Sequence, residues 1–194
     1  FVNSDGFLAD GAIEALADTL AEDGRIGAVG PRIYLENGTL DHGCKRGFPT
    51  PWNAFCYFSG LSRRMKKHPE KYDGYALRYL DEWQRHEVDA ISGSCMMIPK
   101  HVFEQVGGFD ERYFMYAEDI DFSRRIHRIT RTVYCPDAVV VHAHEAASRK
   151  NGKMLLIHIG SLVKYFNKWG WIIDRERRRA NRACIEALKG QGRG

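Results

Sequence analysis

The chain has 194 residues, the size of one ordinary domain, and its 44% hydrophobic and 28% charged content excludes a disordered chain. Cys44, Cys56, Cys95, Cys135 and Cys184 are odd in number and form no CxxC pair. That excludes a zinc knuckle or a disulfide framework and fits a reducing cytosol, and no run of about 18 apolar residues offers a membrane span. The net charge of +4 hides an acidic body and a basic tail: residues 145–194 carry 12 Lys and Arg against 4 Asp and Glu, the remainder 17 against 21.

In chain order, Phe1-Val2 reads as the end of a hydrophobic strand already under way, without an initiator Met, so the chain is expected to be a fragment of a longer protein. Residues 9–23 have helical periodicity, with Asp10 as cap and Gly24 as stop. Residues 26–31 predict a short buried strand ended by Gly-Pro, and 33–40 a strand pair around Glu36-Asn37-Gly38. Residues 42–87 are rich in aromatic and basic side chains and predict a long excursion covering a cleft. Ser92-Gly93-Ser94 leads into a predicted buried strand at 95–98, and a short helix at 100–106 stops at Gly107-Gly108. A second helix is predicted for 118–129, then strands at 132–134 and 138–141 around a Cys135-Pro136-Asp137 turn. Helices follow at about 153–169 and 174–189. The alternation predicts an α/β fold with a mainly parallel sheet.

Three places carry chemistry. Asn3 and Asp5, two residues apart at the mouth of a strand, point the same way. A carboxylate there can hold Mg²⁺ or Mn²⁺ against a diphosphate, or simply close an Asx-turn. Glu118, Asp119 and Asp121 crowd three carboxylates into four positions behind an aromatic run. That pattern serves a raised-pKa base or a metal site, or equally a solvated helix start that complements the helix dipole. His142 and His144 alternate at the end of Val139-Val140-Val141, as metal ligands or as strand-end polar groups; HExxH is absent.

Taken together, the NSD triplet, Ser92-Gly93-Ser94-Cys95-Met96-Met97-Ile98, the block GGFDERYFMYAEDIDFSRRI from Gly107 and the VVH ending at His142 resemble the second half of a glycosyltransferase family 2 enzyme with a GT-A fold. The rhamnosyltransferase-like branch is the most similar in flavour, and Phe48-Pro49-Thr50-Pro51-Trp52 also resembles it. The resemblance covers residues 1–148. It implies a partial GT-A sheet with flanking helices, followed by a basic amphipathic helical region over 149–194. It also implies that the segments holding the nucleotide base precede Phe1, so that the chain alone would be inactive.

The resemblance further implies an inverting transfer of a sugar, rhamnose in this branch, from a nucleotide-diphosphate donor to a glycan or lipid-linked acceptor in cell-surface polysaccharide synthesis. Asp5 matches the last acid of the family's metal and diphosphate motif, with Asn3 in place of its first. Glu118-Asp119 match the acidic pair that supplies the base, Asp119 being the preferred member. His142 matches a position that ligates the same Mg²⁺ or Mn²⁺. Gly107, Gly108, Tyr116, Trp52, Ser92 and Gly93 fall where substrate is bound. Phe109, Tyr113 and Tyr116 are expected to wall the site, Phe109 and Phe114 also being candidates for plain core packing. The helix of 153–172, with Leu155, Leu156, Ile159, Leu162, Val163, Phe166 and Trp169 near one face and arginines beyond, suits an anionic leaflet as well as a packed position. A cytoplasmic protein peripheral to the inner face of the plasma membrane is expected. Nucleic-acid binding is disfavoured by the acidic body and the missing motifs. A non-catalytic carbohydrate-binding or membrane-surface module is the alternative.

Overall fold

The computed structural model describes residues 1–143 and 152–191. Its elements in chain order are β1 (Gly6–Leu8), α1 (Ala12–Glu22), β2 (Ile26–Leu35), β3 (Lys45–Arg46), α2 (Pro51–Phe58), α3 (Leu61–Arg64), α4 (Pro69–Tyr72), β4 (His86–Glu87), β5 (Ala90–Ile91), α5 (Lys100–Val106), α6 (Glu118–Ile126) and β6 (Arg131–His142). Two longer helices, α7 (Gly152–Trp169) and α8 (Arg175–Gln191), follow.

β6 is the spine of the main sheet. It pairs in parallel with β2 and antiparallel with both β1 and β4. The parallel centre matches the sequence pattern, since β2 is buried on both faces through its first eight residues. The flanking strands make the sheet mixed rather than mainly parallel. The turn expected at Cys135-Pro136-Asp137 is instead an irregularity within one strand, because Pro31 pairs with Cys135 and the next residue, Arg32, pairs with Val139. The strand expected at 95–98 contributes single bridges from Cys95 to Val2 and from Met97 to Val29. The Asn-Gly turn closes through the Leu35 and Gly38 amides, but its return strand is one bridge, Tyr34 to Leu40. Gly11, in the left-handed region at φ 77°, caps α1 where Asp10 was expected.

Apolar packing ties these pieces into one body. Val29, Ile33, Met96, Phe122, Ile126, Tyr134 and Val140 are buried together in the main core. Phe109 joins it by ring contacts with Phe1, Phe103 and Phe122, whereas Phe114 is exposed. A second core is shared with the C-terminal helices: Phe48, Tyr75, Tyr113 and Ile120 from the body meet Leu162, Tyr165 and Phe166 of α7. The boundary expected at 148 lies outside the described residues. The described helices beyond it are docked on the body.

Charge specifies this docking. Asp174, between α7 and α8, receives Arg124 of α6 at 2.6 Å and the Arg177 amide at 3.0 Å, and all three residues are buried. Arg124 also donates to the Tyr165 hydroxyl at 3.0 Å. A buried ion pair contributes little relative to well-packed apolar groups, but removing one partner strands the other. Asp174→Ala is therefore expected to lower unfolding free energy by about 3–5 kcal/mol. Urea titration measures this, and a cost below about 1 kcal/mol, typical of an exposed pair, would contradict the assignment.

Candidate active site

Arg46 on β3 and the Ser92–Ser94 loop after β5 are brought together because β3 and β5 pair, Lys45 opposite Ile91 and Arg46 opposite Ala90. Both then converge on Asp119, in the first turn of α6. Arg46 donates to Asp119 Oδ2 at 2.5 Å, and the Gly93 amide donates to the same oxygen at 2.9 Å. Oδ1 accepts the Ile120 amide at 2.8 Å. A Cβ on Gly93 would stand 3.2 Å from the Asp119 Cβ, so the bare backbone lets this loop approach. Asn3 is held to the same loop by its amide, which donates to the Ser94 carbonyl at 2.8 Å.

Glu118 has the opposite environment. One of its carboxylate oxygens is buried without a hydrogen-bond partner. Burial, reinforced by the adjacent Asp119 charge, pushes its carboxyl up to about 7. Asp121 is turned away from both and anchors the helix to its surroundings. It takes Arg125 at 3.0 Å, Trp169 Nε1 at 2.7 Å and Lys168 at 2.7 Å.

The backbone entering this helix is strained. Tyr116 and Ala117 lie at φ 65° and 61°, a left-handed conformation that side-chain-bearing residues rarely adopt. The geometry is held from outside: Ser161 of α7 donates its hydroxyl to the Met115 carbonyl at 2.6 Å, and the His158 ring stacks on Tyr116 with centroids 4.3 Å apart.

At the far side, the β1–β6 register sets Gly6 opposite His142, which brings the Asp5 and His142 side chains together with Nε2 3.2 Å from Oδ1. Between these groups lies a cavity of about 400 Å³. Asn3, Asp5, Ser92, Gly93, Tyr116, Glu118, Asp119 and His142 all line it, so these residues, scattered over 140 positions of sequence, surround one space. Gly107 and Gly108 are not on its wall. They end α5 at φ 80° and 69°, with Gly108 against the Phe103 ring. Trp52 lines a separate, smaller pocket and donates its indole N–H to the Lys71 carbonyl. Tyr113 stands behind the site, its hydroxyl toward Asp121. His144 lies outside the described residues.

The cavity also holds residues the sequence reading passed over: Arg46, Tyr57, Tyr75 and His158. Three of these, Arg46, Tyr57 and Tyr75, come from the 42–87 excursion, which lines the cavity. Arg46 had one legible signal, the need of a buried acidic pair for a cation, but nothing in the sequence indicates which of 29 Lys and Arg residues supplies it.

For a divalent cation, Asp5 and His142 are adjacent oxygen and nitrogen donors, and hard cations of this kind commonly complete their shell with waters and phosphates. The pair fits such a site in part. Among the described residues, no group of three or more His, Cys, Asp or Glu residues is placed to hold a metal by itself.

Comparison with known proteins places this geometry in a context. A model described as "Glycosyltransferase like family 2" matches residues 1–155. An N-acetylglucosaminyl-diphospho-decaprenol L-rhamnosyltransferase from Mycobacterium tuberculosis is 35% identical over 147 residues, covering 75% of this chain and 46% of that protein. The rhamnosyltransferase WbbL of Escherichia coli is 36% identical over 80 residues, covering 40% of this chain and 30% of WbbL. The chain thus spans about half the length, or less, of these relatives. In structure it is similar to GalNAc-T7 solved with UDP, GalNAc and Mn²⁺, with a TM-score of 0.51 at 15% identity over 84% of this chain and 30% of that one. At that identity the likeness is one of fold.

The raised carboxyl of Glu118 has a consequence for stability. The unfolded chain releases this proton near the ordinary glutamate value and the folded chain only near 7. Between those values the folded state holds more protons, so this group's contribution falls as pH rises. Glu118→Gln removes that loss, and its melting temperature relative to the unsubstituted protein is expected to be higher at pH 8 than at pH 5. Calorimetry at the two pH values checks this, and a pH-independent difference would show that Glu118 titrates normally.

Proposed function

The chain belongs to glycosyltransferase-like family 2, and from that premise we propose that its cavity carries out inverting sugar transfer from a nucleotide-diphosphate donor. The observation that carries the reading is that two sets of groups line one cavity: the acidic pair Glu118-Asp119 and the pair Asp5-His142. The reaction requires both. An acceptor hydroxyl attacks the anomeric carbon, the bond from that carbon to the diphosphate oxygen breaks, the configuration inverts, and the hydroxyl proton goes to a carboxylate. The transition state has oxocarbenium character, as in glycoside hydrolysis, so a negative wall near the sugar favours it.

The two acids divide the work. Asp119 has both oxygens engaged by Arg46, Gly93 and Ile120, which hold the carboxylate in place. Glu118, half-buried with one oxygen buried and unpartnered and a carboxyl raised to about 7, suits the acceptance of a proton near neutral pH. The sequence motif favoured Asp119 for that step; the hydrogen bonding favours its neighbour.

Asp5 and His142 would hold Mg²⁺ or Mn²⁺, which when bound neutralises the departing diphosphate. Ser92, Gly93 and Tyr116, which line the same cavity, would border the sugar. The names of the relatives support rhamnose as the donor sugar and a lipid-diphosphate-linked acceptor, and we read the product as part of a cell-surface polysaccharide. Among the described residues no helix is long and apolar enough to cross a membrane. Independently of that, the proposed lipid-linked acceptor would be met at the membrane surface.

In the full-length enzyme that contains this chain, Glu118→Gln is expected to lower kcat by about 10²–10⁴ with donor affinity retained, the usual range for a lost general base. Asp119→Asn is expected to impair donor or acceptor positioning as well, raising KM. Steady-state transfer combined with donor-binding calorimetry separates the two. If Glu118→Gln turns over normally while Asp119→Asn loses only kcat, the proton goes to Asp119. If neither variant affects transfer, the site itself is misassigned. Gly93→Ala, which crowds the Asp119 Cβ, is expected to lower kcat with little effect on melting temperature.

A further inference from the structure

Helix α7 presents two different faces. Toward the body, His158 stacks on Tyr116 in the cavity wall and Ser161 holds the Met115 carbonyl, while Leu162 and Phe166 are buried in the second core. On the other side Leu156, Ile159 and Val163 are exposed, Leu156 by 70%. Their spacing of three and four residues lines them up in one stripe along the helix. The next position on that stripe is Asn167, and its Oδ1 accepts the indole N–H of Trp171 at 2.9 Å. Trp171 is followed by Ile172 and Ile173, exposed by 73% and 82%. The apolar stripe therefore ends in an apolar tip between α7 and α8.

The charge beside that tip is cationic. Arg178 donates to the Ile172 carbonyl at 3.4 Å, and Arg175, Arg178, Arg179 and Arg182 line an open groove on α8. Glu176, at the same end, is engaged by Arg128 at 2.9 Å. Contiguous exposed apolar groups rimmed by charge mark an interaction surface, and unsubstituted guanidinium forks favour phosphate.

We propose that the stripe, the Trp171–Ile173 tip and the four arginines together form a docking surface for an anionic lipid bilayer. The apolar groups enter the interface and the guanidinium groups bind lipid phosphates. Because the opposite face of the same helix walls the cavity, docking sets the site roughly 10 Å, one helix diameter, from the headgroups. A sugar carried on a lipid diphosphate then reaches the acidic pair without leaving the membrane. This proposal rests on the reading of the acceptor as lipid-linked. It also revises the sequence expectation of which side chains insert: Leu162, Phe166 and Trp169 serve the body, and Leu156, Ile159, Val163, Ile172 and Ile173 remain for the lipid.

Cosedimentation of the purified protein with phosphatidylcholine vesicles, with and without phosphatidylglycerol, tests it. Binding is expected only with the anionic lipid and is expected to weaken with salt. Arg178→Gln and Arg179→Gln are each expected to weaken it about fivefold, and Ile172→Asp with Ile173→Asp to abolish it, with circular dichroism unchanged. Equal binding to neutral vesicles, or unchanged binding by these variants, would overturn the proposal. So would a dimer in solution that the isoleucine variants disperse while vesicle binding is absent, since the surface would then hold a second copy. Transfer to a water-soluble acceptor distinguishes the two readings. With the full-length enzyme, transfer without vesicle binding sinks the lipid surface alone, whereas vesicle binding without transfer to any acceptor sinks the proposed function and leaves the surface standing.

Discussion

Three carboxylates in the first turn of one helix, all drawn out of water, repel one another unless something separates their charges, and the arrangement of this protein follows from how that is done. Asp119 receives a cation from β3, Arg46, and Asp121 receives Arg125 and Lys168. Glu118 receives neither and holds a proton up to about 7. Each solution recruits a different part of the chain. Arg46 can reach only because β3 pairs with β5, and Lys168 only because α7 lies against the loop that precedes α6. The helix dipole favours acids at this position, but a terminal dipole contributes at most about 2 kcal/mol and cannot by itself accommodate three buried charges.

The same constraint explains why the C-terminal helices belong to the same body as the cavity. Trp169 and Lys168 satisfy Asp121, Ser161 satisfies the Met115 carbonyl, and Arg124 reaches forward to Asp174. These bonds flank Tyr116 and Ala117, whose left-handed backbone would otherwise relax. Strain at the entrance to α6 turns Tyr116 toward the cavity and sets Glu118 and Asp119 on its wall. A helix that looks like an appendage by charge is, by hydrogen bonding, part of the site's frame.

Much of this was legible. The GGFDE to EDID block, the NSD triplet and VVH pointed to three parts of one site because their residue types suit one chemistry, and Asp5, Glu118, Asp119 and His142 do share a cavity. The extent of helix α7 and the first part of strand β2 were also readable from local periodicity, although β2 runs through Gly30-Pro31 to Leu35 instead of ending there. Gly107-Gly108 was misleading as a substrate contact: the left-handed glycines serve to stop α5, a local task that leaves the same sequence mark. Trp52, expected at the substrate from the family resemblance, borders another pocket.

By itself, the sequence determined the chemistry available and the elements that would carry it, because both depend on residue identity and short-range spacing. Only the tertiary structure decided which cation meets which acid, and therefore which of two adjacent carboxylates is clamped and which is left to take a proton. It also decided which face of α7 turns to the cavity and which to solvent. Those outcomes depend on contacts such as Arg46 with Asp119, 73 positions apart, and on the burial that raises Glu118. Coulomb energy and desolvation depend on distance and surroundings in space, which neighbouring letters do not encode.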